Sequence, residues 1–241
     1  MPRRLTPEHM DRVDASPAEL RSALAYLRGV NRWLGGSWAL IGQLEAWSRN
    51  ERASWPKDRP LTLLDIGTGS ADIPVAAVRW ARRRGFELRV TAVDMHPVTL
   101  DLAREYVAAQ GMSGEITLVQ ADATRLMDLY KVGSFDFTHA ALFIHHLPEI
   151  PALTVLRIMD RLASRGLVWS DLHRSWFQRA VVPIALLAGD RMVRHDGKVS
   201  VEAGFTRAEA LEMARRVGVE RAEYRRLPLW YRFTLAAHKA M

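Results

Sequence analysis

The chain of 241 residues contains no cysteine, which excludes disulfides and thiolate metal sites. Lysine is scarce too: of 34 lysines and arginines, only Lys57, Lys131, Lys198 and Lys239 are lysine. No apolar stretch approaches the ~18 residues that a membrane-crossing helix needs. The arginines near the N-terminus have no apolar core behind them, so no secretory leader is expected and the chain reads as cytoplasmic. Internal repeats and low-complexity tracts are absent as well. What is abundant is arginine, giving a formal net charge of +7. Its dispersal along the chain speaks for solvated faces rather than a nucleic-acid footprint. The tightest cluster, Arg82-Arg83-Arg84, falls at a predicted helix end, where cations offset the carbonyl end of the dipole.

Pro2, Pro7 and Pro17 interrupt a polar opening, which predicts an irregular or loosely docked segment over residues 1–17. Ser16-Pro17-Ala18-Glu19 then has the form of a helix start, and Leu20, Leu24, Leu27 and Val30 mark one apolar face. After Gly35-Gly36 a second helix is predicted from Trp38 to Trp47, and the stretch from Ser48 to Pro60 reads as a connector. Residues 1–59 thus form an N-terminal segment with a helical cap, and residues 60–241 a core with a lid-like insert over 174–204. Within the core, strand and helix patterns alternate, which implies a parallel sheet with right-handed crossovers. Past the fifth strand, an apolar helix from Trp176 to Leu187 precedes a charged, glycine-containing stretch, Gly189 to Gly204, that reads as an inserted loop. Thr206-Arg207-Ala208-Glu209 is a capping box opening a helix to about Val217. Two short strands, Ala222 to Leu227 and Tyr231 to His238, flank Pro228 as a hairpin.

The most informative run is Leu63-Leu64-Asp65-Ile66-Gly67-Thr68-Gly69-Ser70-Ala71-Asp72, followed by Val93-Asp94 at the end of the next strand. An apolar strand emptying into a glycine turn and a helix lets backbone N–H groups approach a nucleotide-containing ligand closely. Asp94 closes the following strand, where a carboxylate can take two ribose hydroxyls. Asp65 stands where a pyrophosphate would have to sit, and Ala71 replaces the third glycine of the dinucleotide pattern. A carboxylate there repels phosphate and suits a cation. Asp72, ahead of Pro74, reads as a helix cap.

This pattern resembles the first two motifs of class I S-adenosylmethionine-dependent methyltransferases. The resemblance continues in Ala121-Asp122-Ala123 after the third strand, in Phe135 to Leu142, and in Ile144-His145-His146-Leu147-Pro148 after the fourth. It implies a Rossmann-like α/β fold: a seven-stranded, mostly parallel sheet with helices on both faces, an N-terminal helical cap and an insert after the fifth strand. It also implies S-adenosylmethionine as cofactor. Asp65, Gly67, Thr68 and Gly69 would lie beneath its methionine part, Asp94 at the ribose and Met95 against the adenine. Asp122 and Ala123 would complete the adenine pocket, with Ala140 and Leu142 near the sulfonium.

If the acceptor is protonated, a histidine titrating near neutrality is the natural base. The candidates are His145 and His146 after the fourth strand and His173 after the fifth, while His139, inside a strand, reads as a hydrogen-bonded core residue. Asp171, His173, His145 and His146 form a conceivable metal set. Nothing in their spacing demands it, and the carboxylate-rich pattern of catechol-type enzymes is absent, so no metal is expected. Gly29 to Gly36, Ser170 to Ser175 and Arg194 to Ser200 resemble ubiquinone/menaquinone-type and type III polyketide synthase-associated small-molecule methyltransferases. The implied activity is methylation of an aromatic or polyketide-derived small molecule, at oxygen or at carbon. Trp33, Trp38, Trp176 and Phe177 would line an apolar substrate chamber. An RNA methyltransferase and a non-catalytic cofactor-binding protein are the alternatives. The oligomeric state is not legible.

Overall fold

The structure, a computed structural model, describes residues 2–12, 15–33, 35–51, 55–56, 58–185, 191–227 and 231–239. Two helices, α1 (Pro17–Trp33) and α2 (Gly36–Glu51), precede the sheet. The alternating part runs β1 (Leu61–Ile66), α3 (Asp72–Arg84), β2 (Leu88–Asp94), α4 (Pro97–Ala109), β3 (Ile116–Gln120), β4 (Phe135–Ala141), α5 (Glu149–Leu162) and β5 (Ala163–Leu172). There follow α6 (Trp176–Ala185), α7 (Arg191–Ala203), α8 (Arg207–Arg216), β6 (Glu223–Arg226) and β7 (Arg232–His238).

The strands form one seven-stranded sheet in the order β3-β2-β1-β4-β5-β7-β6. The first five are parallel, and β7 runs antiparallel to both β5 and β6. The chain builds outward from β1 to β3 and then crosses back to β4, so the direction of winding reverses between β1 and β4. Ligands in such sheets bind beyond the carboxyl ends of the strands at that point.

Both faces of the sheet are covered. Leu64, Ile66, Trp169 and Phe233 pack under α5 and α8, with Trp169 edge-on to Phe205 and Phe233. On the other face Leu63, Phe137 and Val168 meet α2 and α3 through Leu40, Trp47 and Val78. Trp47 lies so close to β5 that a Cβ on Gly166 would stand 2.8 Å from its ring, and only glycine fits. Helix α8 begins with both halves of the capping box present, Thr206 accepting from Glu209 N and Glu209 accepting from Thr206 N.

Four expectations need correction. The first is the opening of the chain, which is docked rather than loose: Glu8 is 5% exposed, and a turn of 3-10 helix at His9–Asp11 packs against α7. The second is the stretch from Arg191 to Ala203, which is helix and not loop; its residues 189 and 190 lie outside the described ones. Met192, Val193, Asp196, Ser200 and Val201 share its buried side. The polar pair disguised that face, because the partners of Asp196 and Ser200 come from the far end of the chain. Third, Asp72 caps nothing with its side chain: Ala71 is the N-cap, in a left-handed conformation at φ 56. Fourth, α2 extends beyond Trp38 to Trp47 at both ends. The terminal hairpin is present as β6 and β7, with Pro228 outside the described residues.

Candidate active site

The glycine turn opens directly from β1. Gly67 N and Thr68 N both donate to Val93 O at 2.9 Å, which ties the turn to the end of β2. Gly67 (φ 68) and Gly69 (φ 54) occupy the left-handed region, and the Phe143 ring lies so close above Gly67 that any Cβ there would overlap it. Asp94 holds the turn from the other side. Its Oδ2 accepts from Gly69 N and its Oδ1 from His96 N, each at 3.0 Å. Burial raises its pKa above the ordinary carboxylate value, against the opposing effect of those N–H groups. Met95 next to it is 68% exposed, free to cover a flat ring.

Asp65 is less available. It is buried, with Oδ1 2.5 Å from His139 Nδ1 and Oδ2 accepting from Thr68 Oγ1 at 2.6 Å. Its carboxylate therefore fixes the turn to β4, while His139 is the core histidine expected. Asp122 caps the short 3-10 helix Ala123–Asp128, accepting from Thr124 N and Oγ1, and stays exposed; Ala123 is buried behind it. Ala140 is buried at the end of β4, and Leu142 takes a left-handed conformation at φ 49 just beyond it.

Leu142 N bonds to Ser170 O, and the loop then turns through a 3-10 helix at Ile144–His146. Here His145 and His146 lie side by side, their rings 4.2 Å apart. His145 Nδ1 donates to Asp171 Oδ1 at 2.6 Å, and its Nε2 faces Glu8 Oε1 at 3.4 Å. Burial alone would lower the His145 pKa, but the charge and hydrogen bond of Asp171, joined by Glu8, outweigh it and raise the value to about 10. His146 Nδ1 donates to Asp11 Oδ2 at 2.7 Å, and its Nε2 lies 3.9 Å from Glu8 Oε2. His173 belongs elsewhere. Its Nδ1 is 2.9 Å from the Tyr224 hydroxyl of β6, and burial lowers its pKa, with Arg226 and Arg174 adding to the effect.

Several residues around the site gave no local signal in the sequence. Arg3 donates from Nε to Ala203 O at 2.7 Å and from Nη2 to His145 O at 2.8 Å and Leu147 O at 2.9 Å, with its guanidinium 4.4 Å above the Phe205 ring. It thereby joins the chain's opening to both the β4 loop and α7. Asp196 accepts from His9 N and Met10 N, and Ser200 Oγ donates to Glu8. A second chain of bonds runs from the fully buried Arg232 through Asn31 to Asp72 and Ser70, linking β7 and α1 to the glycine turn. Trp33, Trp38 and Trp176 are each at least 70% exposed, and Phe177 is exposed as well, so none of these four rings is spent on the core.

Residues 63–166 match the model of a methyltransferase domain, and they span β1 through β5, the segment that builds this site. That match takes in less than half of the chain, and the seven-stranded sheet that contains it has a Rossmann-like fold. Among curated proteins it is similar to an arginine N(omega)-methyltransferase of Streptomyces achromogenes, 31% identical over 110 residues, which cover 44% of this chain and 27% of that protein. It is also similar to a ubiquinone/menaquinone biosynthesis C-methyltransferase of Rhizobium johnstonii, 30% identical over 112 residues, 46% of this chain and 41% of the other. The chain thus spans less than half the length of either relative. The crystal structure of a magnesium protoporphyrin IX methyltransferase from Synechocystis with bound SAH superposes with a TM-score of 0.56 at 16% identity, over 86% of this chain and 84% of that one.

Proposed function

We propose that this protein is an S-adenosylmethionine-dependent methyltransferase of the cytoplasm that acts on an aromatic or polyketide-derived small molecule, with oxygen as the acceptor atom and carbon as the alternative. The observation that carries the reading is the glycine turn at the β1–β4 switch point, bound through Gly69 N to a carboxylate, Asp94, that closes β2. With Asp65 buried just behind the turn, a pyrophosphate would meet a carboxylate there, whereas a cation-bearing nucleoside would not. The cofactor supplies a methyl group already activated by a sulfonium. Asp94 would hold its ribose, Met95 and Asp122 with Ala123 its adenine, and the backbone of Gly67, Thr68 and Gly69 its methionine part. Ala140 and Leu142 would stand beside the transferred methyl.

Displacement at that carbon needs alignment in a dry site more than it needs protein-borne chemistry. We assign alignment of the acceptor to the loop after β4, where Asp171 holds His145 rigid and Asp11 orients His146. His173, turned to Tyr224, is assigned a positioning role at the sheet edge. The exposed rings of Trp33, Trp38, Trp176 and Phe177 support an apolar acceptor, and we assign the insert over 174–204 the part of a lid. The names of the similar proteins support a small molecule as well, since they concern arginine, ubiquinone/menaquinone and magnesium protoporphyrin IX.

Methyl transfer from isotopically labelled S-adenosylmethionine, screened against phenols, quinols, alkylresorcinols and RNA, tests the proposal. Label is expected in an aromatic acceptor. Label in RNA alone would overturn the substrate class, and tighter binding of a nicotinamide dinucleotide than of S-adenosylmethionine would overturn the cofactor.

A further inference from the structure

Among the described residues, one group of metal-ligating side chains lies where the chain's opening meets the β4 loop. Glu8 presents its two oxygens to two imidazoles, Oε1 3.4 Å from His145 Nε2 and Oε2 3.9 Å from His146 Nε2. The three ligand atoms lie within 4.8 Å of one another. His145 Nε2 is buried and has no hydrogen-bond partner among the described residues, although it points at Glu8. A buried ring nitrogen left in that condition costs free energy unless something occupies the gap.

The surroundings match what a metal site requires. Each histidine donates its other nitrogen to a carboxylate, His145 to Asp171 and His146 to Asp11, an arrangement that fixes the ring and aims Nε2 at Glu8, so that a metal would take the place of the Nε2 proton and release it on binding. Glu8 is oriented in turn by the Ser200 hydroxyl. Two imidazole nitrogens and one carboxylate oxygen suit a borderline divalent ion. With metal–ligand bonds of about 2.1 Å in tetrahedral geometry, ligand atoms stand about 3.4 Å apart. The separation of Glu8 Oε1 from His145 Nε2, 3.4 Å, matches that value, and the three ligand atoms all lie within 4.8 Å, so a small rotation of the His146 ring or of the carboxylate completes the set. Three carboxylates, Glu8, Asp11 and Asp171, surround the pair, so a dication enters a region of negative charge.

We infer that Glu8, His145 and His146 form a binding site for one zinc(II) ion, which ties the N-terminal segment to the loop after β4 and leaves a fourth coordination position for an oxygen ligand. A second group, His9, His195 and Asp196, also has ligand spacing, but its elements are already satisfied. Asp196 accepts from His9 N, Met10 N and His195 Nδ1, and the two rings stack at 3.8 Å. That group serves as the control. The inference stands apart from the methyltransferase reading, because its test reads metal binding and not activity.

The full chain is stripped with a chelator and titrated with zinc(II) by calorimetry and with cobalt(II) by visible absorption. One equivalent is expected to bind, with the d–d bands of a four-coordinate ion. Glu8→Gln and His146→Ala should each weaken zinc by more than about a hundredfold, and Asp11→Asn by about ten- to a hundredfold, the scale for outer partners of metal-bound histidine. Asp11 is exposed, so Asp11→Asn is expected to fold, which thermal melting by circular dichroism verifies. His195→Ala should bind zinc as the parent does. Failure of the parent chain to take up either ion, unchanged affinity in Glu8→Gln and His146→Ala, or loss of zinc in His195→Ala alone would overturn the assignment.

Discussion

Glu8 and His145 stand far apart in the sequence, and the fold brings them together in its interior, with Oε1 3.4 Å from Nε2 and both residues at most 5% exposed. The contact makes the N-terminal segment part of the site. Glu8 and Asp11 meet the loop after β4, and Arg3 and α7 hold the segment there.

Arg3 is the staple of that cover. Arg3→Ala removes four hydrogen bonds to carbonyls of the β4 loop and α7, together with the stacking on Phe205. Loss of charge-assisted bonds of this kind should ease local opening by about 2 to 3 kcal/mol. Amide exchange in residues 143–147 and 203–205 is expected to accelerate by about thirty- to a hundredfold, with β1 to β3 unaffected. Acceleration spread evenly over the sheet would contradict a local staple.

Asp94→Ala should weaken S-adenosylmethionine by about 2 to 4 kcal/mol, roughly thirtyfold to several hundredfold. Asp94→Asn should fall between the two, because an amide oxygen can still accept from Gly69 N while the second acceptor is lost. Calorimetry on the three proteins checks the order. Equal affinities would remove Asp94 from the cofactor site.

At Gly67 two costs combine, a left-handed φ of 68 and the Phe143 ring above it. Gly67→Ala is expected to destabilise the fold by about 1 to 3 kcal/mol. Adding Phe143→Ala should return the steric part and leave the backbone part, so the double variant melts above the single one. If the double variant melts no higher than Gly67→Ala, the ring is not what crowds this position.

Asp136, at the start of β4, accepts from Arg59, Arg165 and Thr62 with its side chain fully buried. Burial would raise its pKa, but the Arg59 bond and charge and the Thr62 N–H hold it below the ordinary 3.8. A depressed carboxylate stabilises the fold above its unfolded value and loses that contribution as pH falls through its folded value. Stability should therefore decline below about pH 4, and Asp136→Asn should flatten the decline while costing about 3 kcal/mol at neutral pH. Urea unfolding at several pH values between neutrality and acid measures both. An acid limb as steep in Asp136→Asn as in the parent would assign it to other groups.

Whatever depends on neighbours in sequence was legible before any coordinates. The turn from β1 through Gly67 and Gly69, the alternation of strand and helix up to β5, the capping box at Thr206 and Glu209, and the closing hairpin all follow from local backbone preference and apolar periodicity. So did His139, since its place inside a strand of a sheet covered on both faces buries it. The tertiary structure decided which polar residues face one another. Asp196 and Ser200 made α7 look like a loop, because their partners, the His9 and Met10 amides and the Glu8 carboxylate, lie at the other end of the chain. Asp72 passed for a cap when its oxygens serve Asn31 and Ser70, and His145 and His146 gained Glu8 and Asp11 only through docking of the N-terminal segment. Periodicity reports apolar burial, which is non-directional and readable residue by residue, whereas a buried polar group is fixed by a directed bond to one distant partner that only the folded chain supplies.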